Sequence, residues 1–215
     1  MLTALDHFYD HLGLGHAVAR REDLPAAAPR ALDEAEQRRF LRQAEKLDSA
    51  RDKAIAYLLF YTGIRVAELT ALDEDDVPIS ARKGKVIVRS GKGDRFREVP
   101  LHGEPRPIVQ AWRADRADWP GAGETTALFL NRYGNRLSDR SVDERIAQLG
   151  TDAGIEGLTP HVLRHTFGTR LLRGGADVVL VAELMGHARL GTTRRYTLPT
   201  AADREQAIEL LLVDR

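Results

Sequence analysis

The sequence predicts an α+β fold, mostly α-helical, with a small three-stranded antiparallel sheet. Three observations support this. Helix starts recur: Asp33 with Glu36, Thr159 with Pro160, and Asp177 each precede an apolar-periodic stretch. Glycines end these stretches at Gly63, Gly174-Gly175 and Gly186. Between the early and late helices, residues 76–99 hold three short runs rich in Val and Ile, separated by glycine-containing turns.

Taken in order, Leu2, Leu5, Phe8 and Leu12 mark an amphipathic helix, followed by a Gly-, Ala- and Pro-containing linker. This sets residues 1–30 apart from a main domain over 31–215. Asp33 and Glu36 form a capping-box pattern that opens a helix to about Leu47. The next helix, Arg51 to Tyr61, has Ile55, Leu58 and Leu59 as its apolar stripe and is broken by Gly63. A short helix resumes over Arg65–Leu72. A cation at its start opposes the helix dipole, so Arg65 needs a partner, and Glu68 is the nearest candidate. Strands are expected at Asp76–Ser80, Lys85–Arg89 and Arg95–Val99, with Lys92 at the tip of the second turn between two glycines. Further helices are expected over Pro105–Trp119, Ser138–Ala153, Thr159 to Gly174 and Asp177 to Gly186, with an extended segment at Leu128–Leu130. Thr200 caps a last helix carrying Ile208, Leu211 and Leu212 on one face.

Composition narrows the function classes. The chain is 43% hydrophobic and 30% charged, as in soluble globular proteins, and no apolar run is long enough to span a bilayer. Acidic residues and histidines interrupt the N-terminal apolar pattern, which excludes a signal peptide. The absence of cysteine excludes disulfides and thiolate zinc sites and suits a reducing cytoplasm. Basic and acidic residues balance at 32 each, an argument against a nucleic-acid binder by total charge. Charge is nevertheless sorted along the chain. Glu68–Asp76 holds only acids, whereas Arg82–Arg97 holds seven bases against Asp94. The basic block reads either as a surface that steers a polyanion or as a solvated hairpin.

The chemistry-bearing residues concentrate between Thr159 and Thr197. His161 and Arg164 share a helix face, His187 follows a glycine stop, and Tyr196 lies before the last helix. Such a set can converge on one phosphate. If Tyr196 attacks a DNA phosphodiester, its phenol, with a reference pKa near 10, costs about 4 kcal/mol to ionise at neutral pH, which a base or positive field must offset. Arg65 and Arg164 offer two bidentate forks for the equatorial oxygens. His161 and His187 can hydrogen-bond the phosphate or move protons. The leaving 5′ oxygen needs a proton, and Lys92 suits that task better than any arginine. Neither metal nor ATP is required. Taken singly, each residue has an ordinary structural reading, as a cap, a turn lysine or a packed tyrosine. His161 with His165 lacks the helical Glu of a metalloprotease motif, and His7 with His11 lacks further ligands.

In their order these pieces resemble the catalytic domain of tyrosine recombinases, the phage-integrase and Xer-like family. The matching stretches are YTGIRVAEL at 61–69, SGKGDRFREVPL at 90–101, LTPHVLRHTFGTRLL at 158–172 and LMGHARLGTTRRYT at 184–197. The resemblance runs from about residue 30 to the end. It implies that Arg65 and Arg164 clamp the phosphate and that Lys92 is the hairpin general acid. It also implies that His161 and His187 are the active-site histidines and that Tyr196 forms a 3′-phosphotyrosyl link. His165 matches a frequent second histidine outside the catalytic set, and Glu68 a commonly acidic, structural position.

The resemblance implies a site-specific recombinase or integrase with no cofactor, acting on double-stranded DNA in the bacterial cytoplasm as a homotetramer on paired sites. Two alternatives remain: a type IB topoisomerase-like activity and a catalytically inactive DNA-binding accessory protein. Family members place a helical DNA-clamping domain before the catalytic one. Here only residues 1–30 stand there, resembling that domain's end, so the chain reads as a fragment or a short member. The last helix either packs on its own domain or is exchanged between protomers.

Overall fold

The structure, a computed structural model, describes residues 30–89 and 96–186, together with Glu205 and Ile208. The expected N-terminal helix and linker, and most of the last helix, fall outside these residues. Helix α1 (Glu34–Glu45) opens on the expected capping box: Asp33 accepts from the Glu36 N–H at 2.8 Å, and Glu36 accepts from the Asp33 N–H at 3.0 Å. Helix α2 (Ala50–Thr62) is N-capped by Ser49 and ends at Gly63, which has φ of 59°. Helix α3 (Val66–Ala71) follows directly, with Arg65 as its N-cap.

Helix α2 is more deeply placed than a single apolar stripe implies. Every residue from Ala54 to Thr62 is buried, Tyr57 and Tyr61 included. A helix apolar on all sides must be surrounded, and α2 is the axis of the domain. It packs against α1, α3, helix α4 (Pro105–Ala117), helix α5 (Asp139–Asp152) and helix α6 (Pro160–Arg173). Each fully buried Leu, Ile or Phe along it contributes about 1.5–3 kcal/mol of transfer free energy.

The sheet has two strands, not three. Strand β1 (Lys85–Val88) pairs antiparallel with strand β2 (Arg97–Pro100), with Val86 opposite Val99 and Val88 opposite Arg97. The expected first strand at Asp76–Ser80 is instead a 3₁₀ turn at Glu74–Asp76 and a single bridge from Ile79 to Gly84. Two local features account for this. Asp76 accepts the Asp73 N–H at 2.9 Å and holds the chain in a turn. Pro78 accepts from the Lys85 N–H at 3.2 Å but has no N–H to return, so the ladder stops.

The Leu128–Leu130 segment, expected to be extended, is instead a fully buried bend at Leu128 and Phe129, set between two isolated bridges, Asp73 with Ala127 and Leu130 with Arg136. Its backbone groups are satisfied from neighbouring elements. Leu128 donates to the Leu72 carbonyl at 2.9 Å and accepts from the Trp112 indole at 2.9 Å. Thr159 caps α6 with Pro160 at its first position, and Asp177 caps helix α7 (Val178–Met185), which stops at Gly186. Both starts and both stops lie where the sequence places them. Helix α7 packs against α6 and β2, so its C-terminal end meets the α2–α3 corner. Ile208 is buried in the chain's own core, and Glu205 pairs with Lys83 at 3.1 Å.

The α2–α3 corner rests on Gly63. A Cβ there would lie 2.4 Å from Phe167 Cδ1, in addition to the positive φ. Gly63→Ala is expected to destabilise the domain by about 2–4 kcal/mol, combining left-handed backbone strain with overpacking, as read from the urea-unfolding midpoint. An Ala at the exposed Gly123, with nothing near its Cβ, is the matched control.

Candidate active site

The end of α7 is where the site assembles. A helix C-terminus leaves carbonyl oxygens without intrahelical partners and carries partial negative charge. Three arginines from three different elements meet the last three carbonyls here. Arg97 Nε, from β2, donates to Leu184 O at 2.8 Å. Arg164 Nη2, from α6, donates to Met185 O. Arg65 Nη2, from the start of α3, donates to Gly186 O at 3.0 Å. Arg164 also donates through Nη1 to Gly63 O at 2.6 Å, so it ties α7 to the α2–α3 corner.

Glu68 holds the cluster from the other side. Its Oε1 accepts from Arg65 Nη1 at 2.7 Å and Arg97 Nη1 at 2.9 Å. Its Oε2 accepts from the Arg65 backbone N–H at 2.7 Å and Arg97 Nη2 at 2.6 Å. The cation at a helix start thus has the partner that the sequence names for it. Burial pushes the Glu68 carboxyl up. The hydrogen bonds from Arg97 and the Arg65 backbone, with both guanidinium charges, outweigh it and hold the carboxyl below the usual glutamate range. Arg97 and Glu68 side chains are only 5% and 9% exposed, while Arg65 is 36% exposed and faces outward.

Of the six expected site residues, the structure brings Arg65 and Arg164 together on adjacent carbonyls. His161 is exposed on the first turn of α6, and its Nε2 lies 2.8 Å from His165 Nε2, the two rings edge to face. Arg164, three residues on, is buried, so the two share a helix stretch but not an environment. Lys92, His187 and Tyr196 lie outside the described residues.

Arg97 is the residue that sequence reasoning misses, because in the sequence it is one base among the seven of the hairpin. A signal is present all the same. In a two-residue period with Val99, an inward-facing apolar position, Arg97 also points inward, and buried arginine demands a partner. The basic block reads differently as well. Arg89 pairs with Asp76 at 2.6 Å and Arg97 with Glu68 at 2.6 Å, joining the basic and acidic blocks. Lys85 pairs with Glu98 at 2.7 Å. Much of the hairpin's charge is thus neutralised within the fold.

The structure is thus a helical domain with a small hairpin, in which one buried carboxylate holds two arginines against one helix end. The chain belongs to the phage integrase family, whose model matches residues 30–202. Tyrosine recombinase XerD of Mycobacterium leprae is 45% identical over 159 residues, covering 70% of this chain. Tyrosine recombinase XerA of Pyrococcus furiosus is 34% identical over 217 residues, covering 97% of this chain and 72% of its own length. The chain spans about half, 48%, of the mycobacterial relative. Among solved structures, XerA recombinase superposes with a TM-score of 0.68 at 30% identity, covering 95% of this chain and 72% of that one. XerH recombinase bound to its difH substrate, a pre-cleavage complex, gives 0.69 at 25% identity, covering 90% of this chain and 57% of that one.

Glu68→Gln removes the charge that holds two guanidiniums. Breaking a buried pair from one side is expected to cost about 3–5 kcal/mol at neutral pH in urea unfolding. Because the folded carboxyl titrates below its unfolded value near 4.3, the wild-type advantage is full above that pH. It shrinks as pH falls through the lowered folded value, so the two unfolding curves converge in acid.

Proposed function

We propose that this chain cuts and rejoins DNA strands at specific sites by transesterification. The observation that supports this best is the convergence of Arg65 and Arg164 on neighbouring carbonyls at the end of α7. Two guanidiniums from separate elements are held in fixed orientation by hydrogen bonds within the fold. A fork oriented in advance spends no ordering entropy on gripping an oxyanion, and donors aimed at developing charge usually contribute most to such catalysis.

In this reading the Tyr196 oxygen attacks the phosphorus, and its proton passes to a base, with His161 and His187 as the candidates. Arg65 and Arg164 neutralise the equatorial oxygens of the pentacoordinate transition state. The bond from phosphorus to the 5′ oxygen breaks, and Lys92 protonates that oxygen. A 3′-phosphotyrosyl link and a free 5′ hydroxyl result, and a 5′ hydroxyl attacking the link reverses the step. One phosphodiester replaces another, so no ATP is consumed, and the arginines supply the charge that a metal would otherwise bring.

The substrate proposed is double-stranded DNA, bound as a homotetramer on paired sites. The complex of XerH with its difH substrate supports the DNA partner. In the single chain Ile208 packs into its own core, so exchange of the last helix between protomers would replace that contact.

Incubation with a nicked suicide duplex carrying a family-type site is expected to give a covalent protein–DNA band on a denaturing gel. Tyr196→Phe should abolish the band and leave mobility-shift binding intact. The band should persist in chelator, and its loss there would bring a metal into the reaction. Absence of the band with wild-type protein would leave a binding protein without strand-transfer activity.

Lys92→Ala is expected to slow cleavage by about 10²–10⁴-fold, the usual worth of general-acid catalysis. A substrate with sulfur at the 5′ leaving position, which departs without a proton, should restore the rate. A deficit that persists on the sulfur substrate would remove Lys92 from that role.

A further inference from the structure

We propose that Arg97 is a positioning residue for strand cleavage, setting the orientation of Arg65 through their shared carboxylate. This rests on Arg65 gripping the scissile phosphate.

The geometry singles out Arg97 among the described cations. It lies on β2, yet its three terminal nitrogens reach two other elements: Nε to Leu184 O at 2.8 Å, Nη1 to Glu68 Oε1 at 2.9 Å and Nη2 to Glu68 Oε2 at 2.6 Å. The last two form a fork-on-fork pair that fixes the carboxylate plane. That plane decides where Oε1 can also accept from Arg65 Nη1, at 2.7 Å. Arg97 therefore sets the position of an oxygen that in turn sets Arg65. Through Leu184 it also fixes the helix end whose Gly186 carbonyl receives Arg65 Nη2 at 3.0 Å. Arg97 thus bears on both of these anchors of the Arg65 guanidinium, on Glu68 directly and on the helix end together with Arg164.

Packing shows that this arrangement is built tightly. A Cβ at Gly186 would lie 2.7 Å from Arg97 Nη1 and 2.9 Å from its Cζ. The guanidinium fills the space against the helix stop, so only glycine fits there, at φ of 66°. Lysine at 97 would keep one charge near Glu68 but would lose the fork and the Leu184 contact together. Arg97 itself is 5% exposed and lies beneath Arg65, so it does not replace Arg65 at a bound phosphate.

The test compares wild type, Arg97→Lys, Arg65→Lys and the double variant in single-turnover cleavage at saturating suicide duplex. Binding is measured by titration and folding by thermal melting. Arg97→Lys should cut at least about tenfold more slowly while DNA affinity stays within about threefold, as expected for a misplaced catalytic group. Adding Arg97→Lys to Arg65→Lys should cost little more, because both act through one guanidinium.

A second substrate separates positioning from general damage. A methylphosphonate at the scissile position has one non-bridging oxygen replaced by methyl and carries one less negative charge. The Arg97→Lys deficit should shrink there, since less charge awaits Arg65. An equal deficit on both substrates, or additive losses in the double variant, would overturn the proposal. Wild-type rates in Arg97→Lys, or a chain that does not fold, would overturn it too, the latter making Arg97 a folding residue. Failure of the underlying reading looks different: wild type would then give no covalent product, or Arg65→Lys would cleave normally.

Discussion

The site depends on one buried carboxylate. Taking Glu68 and Arg97 out of water costs several kcal/mol per ion, and their attraction offsets this only with near-ideal geometry and full hydrogen bonding. Glu68 has both. Each oxygen accepts from two nitrogens, and all four contacts lie between 2.6 and 2.9 Å. With that carboxylate in place, the N–H of the α3 N-cap residue Arg65 is satisfied, β2 is tied to the helical layer, and Arg65 is turned outward. Without it, Arg65 and Arg97 would meet at one helix end and lose the anion that lies between them.

The carbonyl dipoles of α7 are the second requirement. The carbonyls of Leu184, Met185 and Gly186 would otherwise be the unsatisfied end of a short, strongly apolar helix. Side-chain cations donate to all three. One set of bonds thus terminates α7 and aligns the arginines. The arrangement also explains why arginine is used at each position. A buried lysine loses its proton readily as desolvation lowers its pKa, whereas guanidinium stays charged. Only a planar fork reaches a carbonyl and a carboxylate in one plane.

Much of this is legible in the sequence because it is local. Asp33 with Glu36, Thr159 with Pro160, Asp177, Gly63 and Gly186 act through neighbours within one helical turn, so their patterns are readable in a window. Glu68 as the partner of Arg65 is likewise three residues away. The third strand fails for a local reason that composition hides: Val77 and Ile79 favour extended chain, but Pro78 between them cannot donate to a ladder. Arg97 is illegible for a different reason. Its partners lie 29 and 87 residues away, so only the fold joins them. The basic and acidic blocks, distinct in sequence, are partly counter-ions of one another in space. Tyr196, His187 and Lys92, which lie outside the described residues, are legible through motif order alone.

The zero net charge and the phosphate-gripping reading then cease to conflict. A polyanion does not respond to total charge but to what stays unbalanced at one place. Outside the cluster, Lys85, Arg89 and Lys83 each face a carboxylate. Inside it, the guanidiniums of Arg65, Arg97 and Arg164 gather at one helix end, and the first two share the single charge of Glu68. Positive charge is therefore concentrated there. A phosphodiester carries one negative charge and its pentacoordinate transition state carries two. In the proposed reaction such a cluster matches the transition state better than the ground state, and that difference, not overall attraction, accelerates a reaction. A more basic surface would bind DNA more tightly in both states and add nothing to this step. Pairing Lys83, Lys85 and Arg89 while gathering guanidiniums at the end of α7 concentrates the field where the proposed reaction develops charge.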